Sequence, residues 1–318
     1  MSNSGWTASV FTTANHAVTL VILFGLACSS ASAVSSSAGS PCGEPLTRQI
    51  PARPPAAPGG REFARQVSGM SDDARESAVL RQLLRGNIPD FLRRLTPVIL
   101  SGSLADGRFA SVTVCVSPDY LAIGSDENFL LVPVRLQTAL TIARRFRFAL
   151  PTRKIVDAVY AQAAVHLQPQ PLPASKTMRT TAYYWEHSEL VREQRLALPE
   201  PLGMLTAGDK KDLVLTNRLW SNLARVAIYG WHRPDGTPIQ PLSTAHGARY
   251  ADYSHGIRLV SATAYVDGEA LPLLTLLQDP QVAALFSDEG VIRRAAYLVN
   301  ILGSRSAGAL ETAALSVR

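Results

Sequence analysis

The sequence predicts an α+β fold, a mainly antiparallel sheet with packed helices, preceded by a signal peptide and a Pro/Ser-rich disordered tether. Two observations lead there. Strand-like and helix-like stretches alternate without a regular strand–helix–strand period. Hairpin-type turn signals recur between apolar runs, at Ala105-Asp106-Gly107, at Arg233-Pro234-Asp235-Gly236 and at Asp267-Gly268.

Residues Ala17 to Ala27 (AVTLVILFGLA) form an apolar run of signal-peptide length, too short to span a bilayer stably. Ala31-Ser32-Ala33 follows the small-x-small pattern of a cleavage site, so 1–33 read as a signal peptide and the mature chain as starting near Val34. One departure is that residues 1–16 carry no Lys or Arg. A lipoprotein anchored at Cys28 is the second reading, because Gly25 stands where the lipoprotein pattern has Leu. The expectation is a secreted or periplasmic protein with no transmembrane segment after cleavage.

Residues 34–60 are Ser-, Pro-, Ala- and Gly-rich without apolar periodicity, which predicts a disordered linker. Residues 61–318 then form a single α+β domain, with a sub-division expected, if anywhere, at the Pro-rich crossing 168–176. Ser71 caps a helix carrying Ala78, Leu80, Leu83 and Leu84, and Pro89 opens a short helical turn. Pro97–Leu100 and Phe109–Val116 read as strands, and residues 119–133 as two short ones around Gly124. An amphipathic helix is expected over 134–149, and Thr152 caps another over 153–164. Residues 178–185 look extended, 186–197 helical and 212–216 extended. Arg225–Trp231, apolar on both faces after its first residue, predicts a covered strand. Strands at 237–242, 257–265 and 269–271 and helices at 273–277 and 290–302 complete the chain.

Composition excludes several classes. The formal charge of +6 falls wholly after residue 33 and is mild over that length. It favours an extracellular polymer or cell-envelope component as partner and gives no clustered footprint for nucleic acid. Glycines occur singly, so no phosphate-cradling loop is present. After residue 33 only Cys42 and Cys115 remain, and neither belongs to a C-x-x-C pair. In an oxidising compartment they can pair as a disulfide. Each also fits as a small packed hydrophobe, and the sequence leaves both readings open.

Candidate chemistry concentrates in residues 225–260, which hold three of the six histidines. His232, His246, Asp252 and His255 are the predicted catalytic set, because imidazole beside carboxylate suits general-base work near neutral pH. His246, Asp252 and His255 are also a candidate metal set, with zinc as the ion, since three such ligands leave a position for water. Trp231, Tyr250, Tyr253, Ser254 and Arg258 are predicted to bind substrate, the aromatic residues through ring faces with polar edges. No G-x-S-x-G elbow surrounds Ser254, which suits a turn serine. Asp209-Lys210-Lys211-Asp212 reads as a solvated turn, with a Lys entering a cleft as the second reading.

Two short stretches resemble known families. Ser243 to Asp252 resembles the zinc-binding run of D-Ala-D-Ala peptidases, with the His-to-Asp spacing one residue short. Ser254-His255-Gly256-Ile257-Arg258-Leu259 resembles the L,D-transpeptidase signature with its cysteine missing, so that family's acyl transfer has no nucleophile here. Neither likeness assigns a family. The functional expectation is a secreted hydrolase of a peptide or glycan polymer acting through a His/Asp site. The alternative is a non-catalytic secreted protein that binds the envelope or a saccharide.

Overall fold

The computed structural model describes residues 41–43 and 47–304. The predicted signal peptide, the lipoprotein cysteine and the linker residues 34–40 and 44–46 lie outside the described residues. In chain order the elements begin with α1 (Gly60–Gln66), α2 (Asp72–Leu84), β1 (Thr96–Ser103), β2 (Phe109–Val116), β3 (Ala122–Gly124) and β4 (Phe129–Leu131). Next come α3 (Leu136–Arg145), β5 (Phe148–Ala149), α4 (Arg153–Gln162), β6 (Val165–His166), α5 (Thr181–Leu196) and β7 (Thr206–Ala207). Then follow β8 (Lys211–Leu213), β9 (Ile228–His232), β10 (Pro238–Ser243), β11 (His255–Gly256), β12 (Val260–Val266) and β13 (Glu269–Pro272). Short helices α6 (Leu273–Leu276) and α7 (Ala283–Phe286) precede α8 (Ala295–Ser304).

The architecture is α+β, with helices packed on mostly antiparallel sheets. The larger sheet runs β1-β2-β12-β13, with β5 joined to β12. Every pair in it is antiparallel, and the β1–β2 hairpin keeps unbroken register from Thr96↔Val116 to Ser103↔Phe109. Val98, Leu100, Val112 and Val114 point from it into a core shared with Ile155, Val159, Leu273, Leu285 and Phe286. The second sheet, β10-β9-β8-β11, carries the candidate site; only its β8–β11 pair is parallel. Among the described residues, no helix is long and apolar enough to cross a membrane.

Local rules account for most elements. Ser71 and Thr152 cap α2 and α4 by accepting from the amides of Ala74 and Ile155. In α3, Leu136, Ala139, Leu140, Ile142 and Ala143 are buried, while Arg144 and Arg145 stay exposed at the C-terminal end that favours cations.

Four expectations are corrected. The helix predicted to 149 stops at Arg145, because Arg147 takes a left-handed φ of 60° and turns the chain into β5. Residues 181–185, expected to be extended, open α5: Thr180 caps it, and Tyr184 is buried with its hydroxyl donating to Ala251 O at 3.2 Å. Tertiary packing here overrides the strand preference of Tyr183, Tyr184 and Trp185. Residues 47–59 of the predicted linker pack onto the domain: Ile50 is buried, and Arg53 Nε donates to Asn87 Oδ1 at 2.9 Å. Disulfide-bonded Cys42 and Cys115 fasten this arm to β2. The crossing at 168–176 does not divide the described residues, since 47–304 fall within one compact unit. Leu172 in that crossing is held by Tyr253, whose hydroxyl accepts from Leu172 N at 2.8 Å and lies 3.1 Å from Leu172 O.

Candidate functional site

The site is built across three short strands. Lys211 of β8 pairs with Gly230 of β9 on one side and with His255 of β11 on the other. Directly paired residues share a sheet face, so Lys211 and His255 project together. Gly230 has φ of 109°, and Trp231 follows at φ 58°, unusual for a bulky residue. This turn lays the Trp231 ring beneath the Lys211 ammonium, 4.9 Å from ring centre to Nζ.

The loop between β10 and β11 delivers the remaining groups. Its backbone is tied to the chain before β9 by Val226 N donating to His246 O at 3.1 Å and Ala248 N to Ala224 O at 2.7 Å. His246 stacks on Tyr250 with centroids 4.2 Å apart and planes within 9°. Both rings flank His255, at 6.1 Å from His246 and 5.7 Å from Tyr250. Asp252 lies beneath: its Oδ1 accepts from Ser254 N at 2.8 Å and Ser254 Oγ at 2.6 Å, and its Oδ2 from Tyr250 at 2.8 Å.

Electrostatics give these groups distinct protonation states. His255 is buried, and neither ring nitrogen has a hydrogen-bond partner among the described residues. Burial, reinforced by Lys211, His246 and Lys210, pushes its pKa down to about 4 against the pull of Asp252. His246 is lowered too, by burial and then by Lys211 and Arg225. Burial alone would raise Asp252, but His255 and the hydrogen bonds from Ser254 and Tyr250 outweigh it and hold the carboxyl below its ordinary value. Two neutral imidazoles therefore stand beside an ionised carboxylate at neutral pH.

The depressed His255 pKa has a consequence for stability. Its ordinary value is 6.5, so between 6.5 and about 4 the unfolded chain binds this proton and the folded chain does not. Stability falls as pH drops through that window. Wild type should lose about 3 kcal/mol more than His255→Gln between pH 7 and pH 4, as read by urea unfolding. Equal losses would contradict the burial of a neutral His255.

The structure separates His232 from this group. Its Nε2 lies 3.2 Å from Asp157 Oδ1, the same oxygen that accepts from Tyr229 at 2.7 Å, and its ring stacks on Tyr160 at 4.5 Å. The carboxylate oriented on His232 is thus Asp157 from α4, which the sequence reading did not single out. Lying 75 positions away, it left no local pattern to read.

The metal set is corrected as well. Among the described residues, no three His, Cys, Asp or Glu side chains form a group able to hold an ion. Both Asp252 oxygens are engaged by Ser254 and Tyr250, which leaves the two imidazoles without the predicted third ligand.

Of the predicted substrate contacts, Tyr250 and Trp231 belong to the site. Ser254 is a fully buried turn residue bonded to Asp252, and Tyr253 is buried against Leu172. Arg258 is structural: it is buried and donates to Ser117 O at 2.9 Å and Thr206 O at 2.7 Å, with its guanidinium 4.3 Å over Tyr120.

The run 209–212 is no solvated turn, since Asp209, Lys210 and Asp212 are buried behind the site. Lys210 Nζ donates to Tyr253 O at 2.6 Å and lies 3.0 Å from His187 Nδ1. Burial pushes its pKa down to about 8 despite Asp209, Asp252 and Asp119. Asp212 accepts from Tyr120 Oη at 2.8 Å and is pushed up by burial to about 6. Gly256 makes this packing feasible, because a Cβ there would stand 2.5 Å from the Tyr120 ring and 2.7 Å from Lys210 Cβ. A charged run ahead of an apolar strand was the available signal for the network, but it reads equally well as a surface turn.

Comparison with protein families, with curated proteins and with solved structures finds no match for this chain.

Proposed function

We propose that this protein is an exported hydrolase of an extracellular or cell-envelope polymer, peptide or glycan, with His246 as general base. The observation that carries this reading is the pair of neutral imidazoles, His246 and His255, set beside the ionised Asp252. His246 is the more accessible of the two and takes a proton from water as the water attacks the scissile centre. Tyr250 fixes the plane of the His246 ring by stacking, and Asp252 favours the imidazolium that forms. His255 sits behind, with nitrogens free to accept or relay a proton. The nucleophile is water rather than Ser254, whose hydroxyl is buried and committed to Asp252. The Cys42–Cys115 disulfide and the apolar run at 17–27 support export.

The test is to offer the full chain, His246→Ala and His255→Ala to peptidoglycan, polysaccharides and a peptide library, reading new amines and new reducing ends. Wild type should release product from at least one, and His246→Ala should be slower by about 100-fold or more, with unchanged circular dichroism. No release from any of them overturns the proposal. Binding without release would favour the non-catalytic reading, which the stacked His246–Tyr250 rings support as a platform for a saccharide.

A further inference from the structure

We infer that Lys211 and Trp231 form a carboxylate-binding subsite beside His255, so that the substrate carries a free carboxylate near the bond presented to His246. This deepens the hydrolase reading and rests on its placement of the reactive group. Lys211 and His255 share one face of the sheet, and the Trp231 ring lies 4.9 Å from the Lys211 ammonium; each of the three has a polar group without a matched partner among the described residues. Lys211 is half-buried, and among the described residues its ammonium forms no ion pair and stands over the Trp231 ring. The acid that acts on it is Asp252, whose two oxygens are already filled by Ser254 and Tyr250. Trp231 is buried with an indole N–H that finds no acceptor among the described residues. Its backbone is held at φ 58°, a cost that folded chains tolerate mainly at sites of function. His255 supplies the third group, buried and unpaired at both ring nitrogens.

An unpaired buried donor is costly, so a ligand that satisfies an ammonium and an indole N–H together recovers a penalty the free protein carries. The complement to such donors is an anion with two acceptor oxygens. The rim agrees in sign. Arg179, ion-paired with Asp72, stands 5.5 Å over the Tyr250 ring, and the charge of Arg225 acts on His246. A carboxylate on Lys211 and Trp231 would place the adjoining part of the substrate along the paired row towards His255 and His246. The same group occurs at a peptide C-terminus and on an acidic sugar, and the experiment separates these sources.

Calorimetry on the full chain carrying His246→Ala, which removes turnover, compares acetyl-Ala-Ala with its C-terminal amide and glucuronate with glucose. One of the acids should bind at least about tenfold tighter than its neutral partner, the worth of one charge-assisted hydrogen bond. Adding Lys211→Met should abolish the preference, and Lys211→Arg should retain most of it. Trp231→Phe, which keeps a ring but loses the N–H, should narrow the preference for the acid severalfold. Equal binding of acid and neutral partner, no binding of either acid, or a preference that survives Lys211→Met overturns the inference. Carboxylate preference without hydrolysis would sink the hydrolase reading alone, and hydrolysis without carboxylate preference would sink this one alone.

Discussion

Arg258→Met should destabilise the protein by about 3–5 kcal/mol at pH 8, the cost of stripping a buried charge from its partners. The guanidinium is buried, ties Ser117 O to Thr206 O, and lies over Tyr120. It is also a counter-charge for three interior acids. Asp119 is pushed up to about 7, first by burial and then by Asp209, while Arg258 opposes the shift. Burial raises Asp209 as well, and Lys210 and then Arg258 pull it back. In Asp212, raised to about 6, Arg258 is the largest influence opposing burial. The sign of the pH dependence follows. A carboxyl whose folded pKa exceeds its ordinary 3.8 binds its proton more tightly when folded, so stability is lost as pH rises through the gap. Without Arg258 these pKa values climb further and the loss deepens. Arg258→Met should therefore be much less harmful at pH 5, where Asp119 and Asp212 are neutral, than at pH 8. Chemical unfolding at both pH values reads this directly. A variant as stable as wild type at pH 8 would show that Arg258 has no such role.

Removing the disulfide should have an effect of similar size. Cys42 and Cys115 are 73 positions apart, and closing a loop of that length restricts the unfolded chain by about 4 kcal/mol. The double variant Cys42→Ala/Cys115→Ala should lose at least that amount in urea unfolding, and wild type in reductant should match it. Both sulfurs are buried, so the double alanine variant also leaves a small cavity, and wild type in reductant isolates the cross-link itself. The loss should come with easier proteolysis in 47–59, the arm that the staple fastens to β2. An unfolding midpoint indifferent to reductant would rule out the staple's contribution.

What the sequence determined is the class of fold, most element positions and the address of the candidate site. These depend on short-range rules. The β1–β2 hairpin, the Ser71 and Thr152 caps and the apolar face of α3 each follow from residues within a turn or two of one another. The cluster His246–Tyr250–Asp252–His255 was legible for the same reason, since ten positions of one loop hold all of it.

What only the tertiary structure decided is which charges face water and which face each other. Lys211 and Trp231 come to lie by His255 through the pairing of β8 with β9 and with β11, and no local pattern encodes that register. Asp157 reaches His232 from 75 positions away and detaches it from the set it shares in sequence. Arg258 and Asp209-Lys210-Lys211-Asp212 carry residue types that sit in water by default. Burying all of these but Lys211 takes several opposite charges from distant strands gathered at once, and pairing of that kind has no local signature.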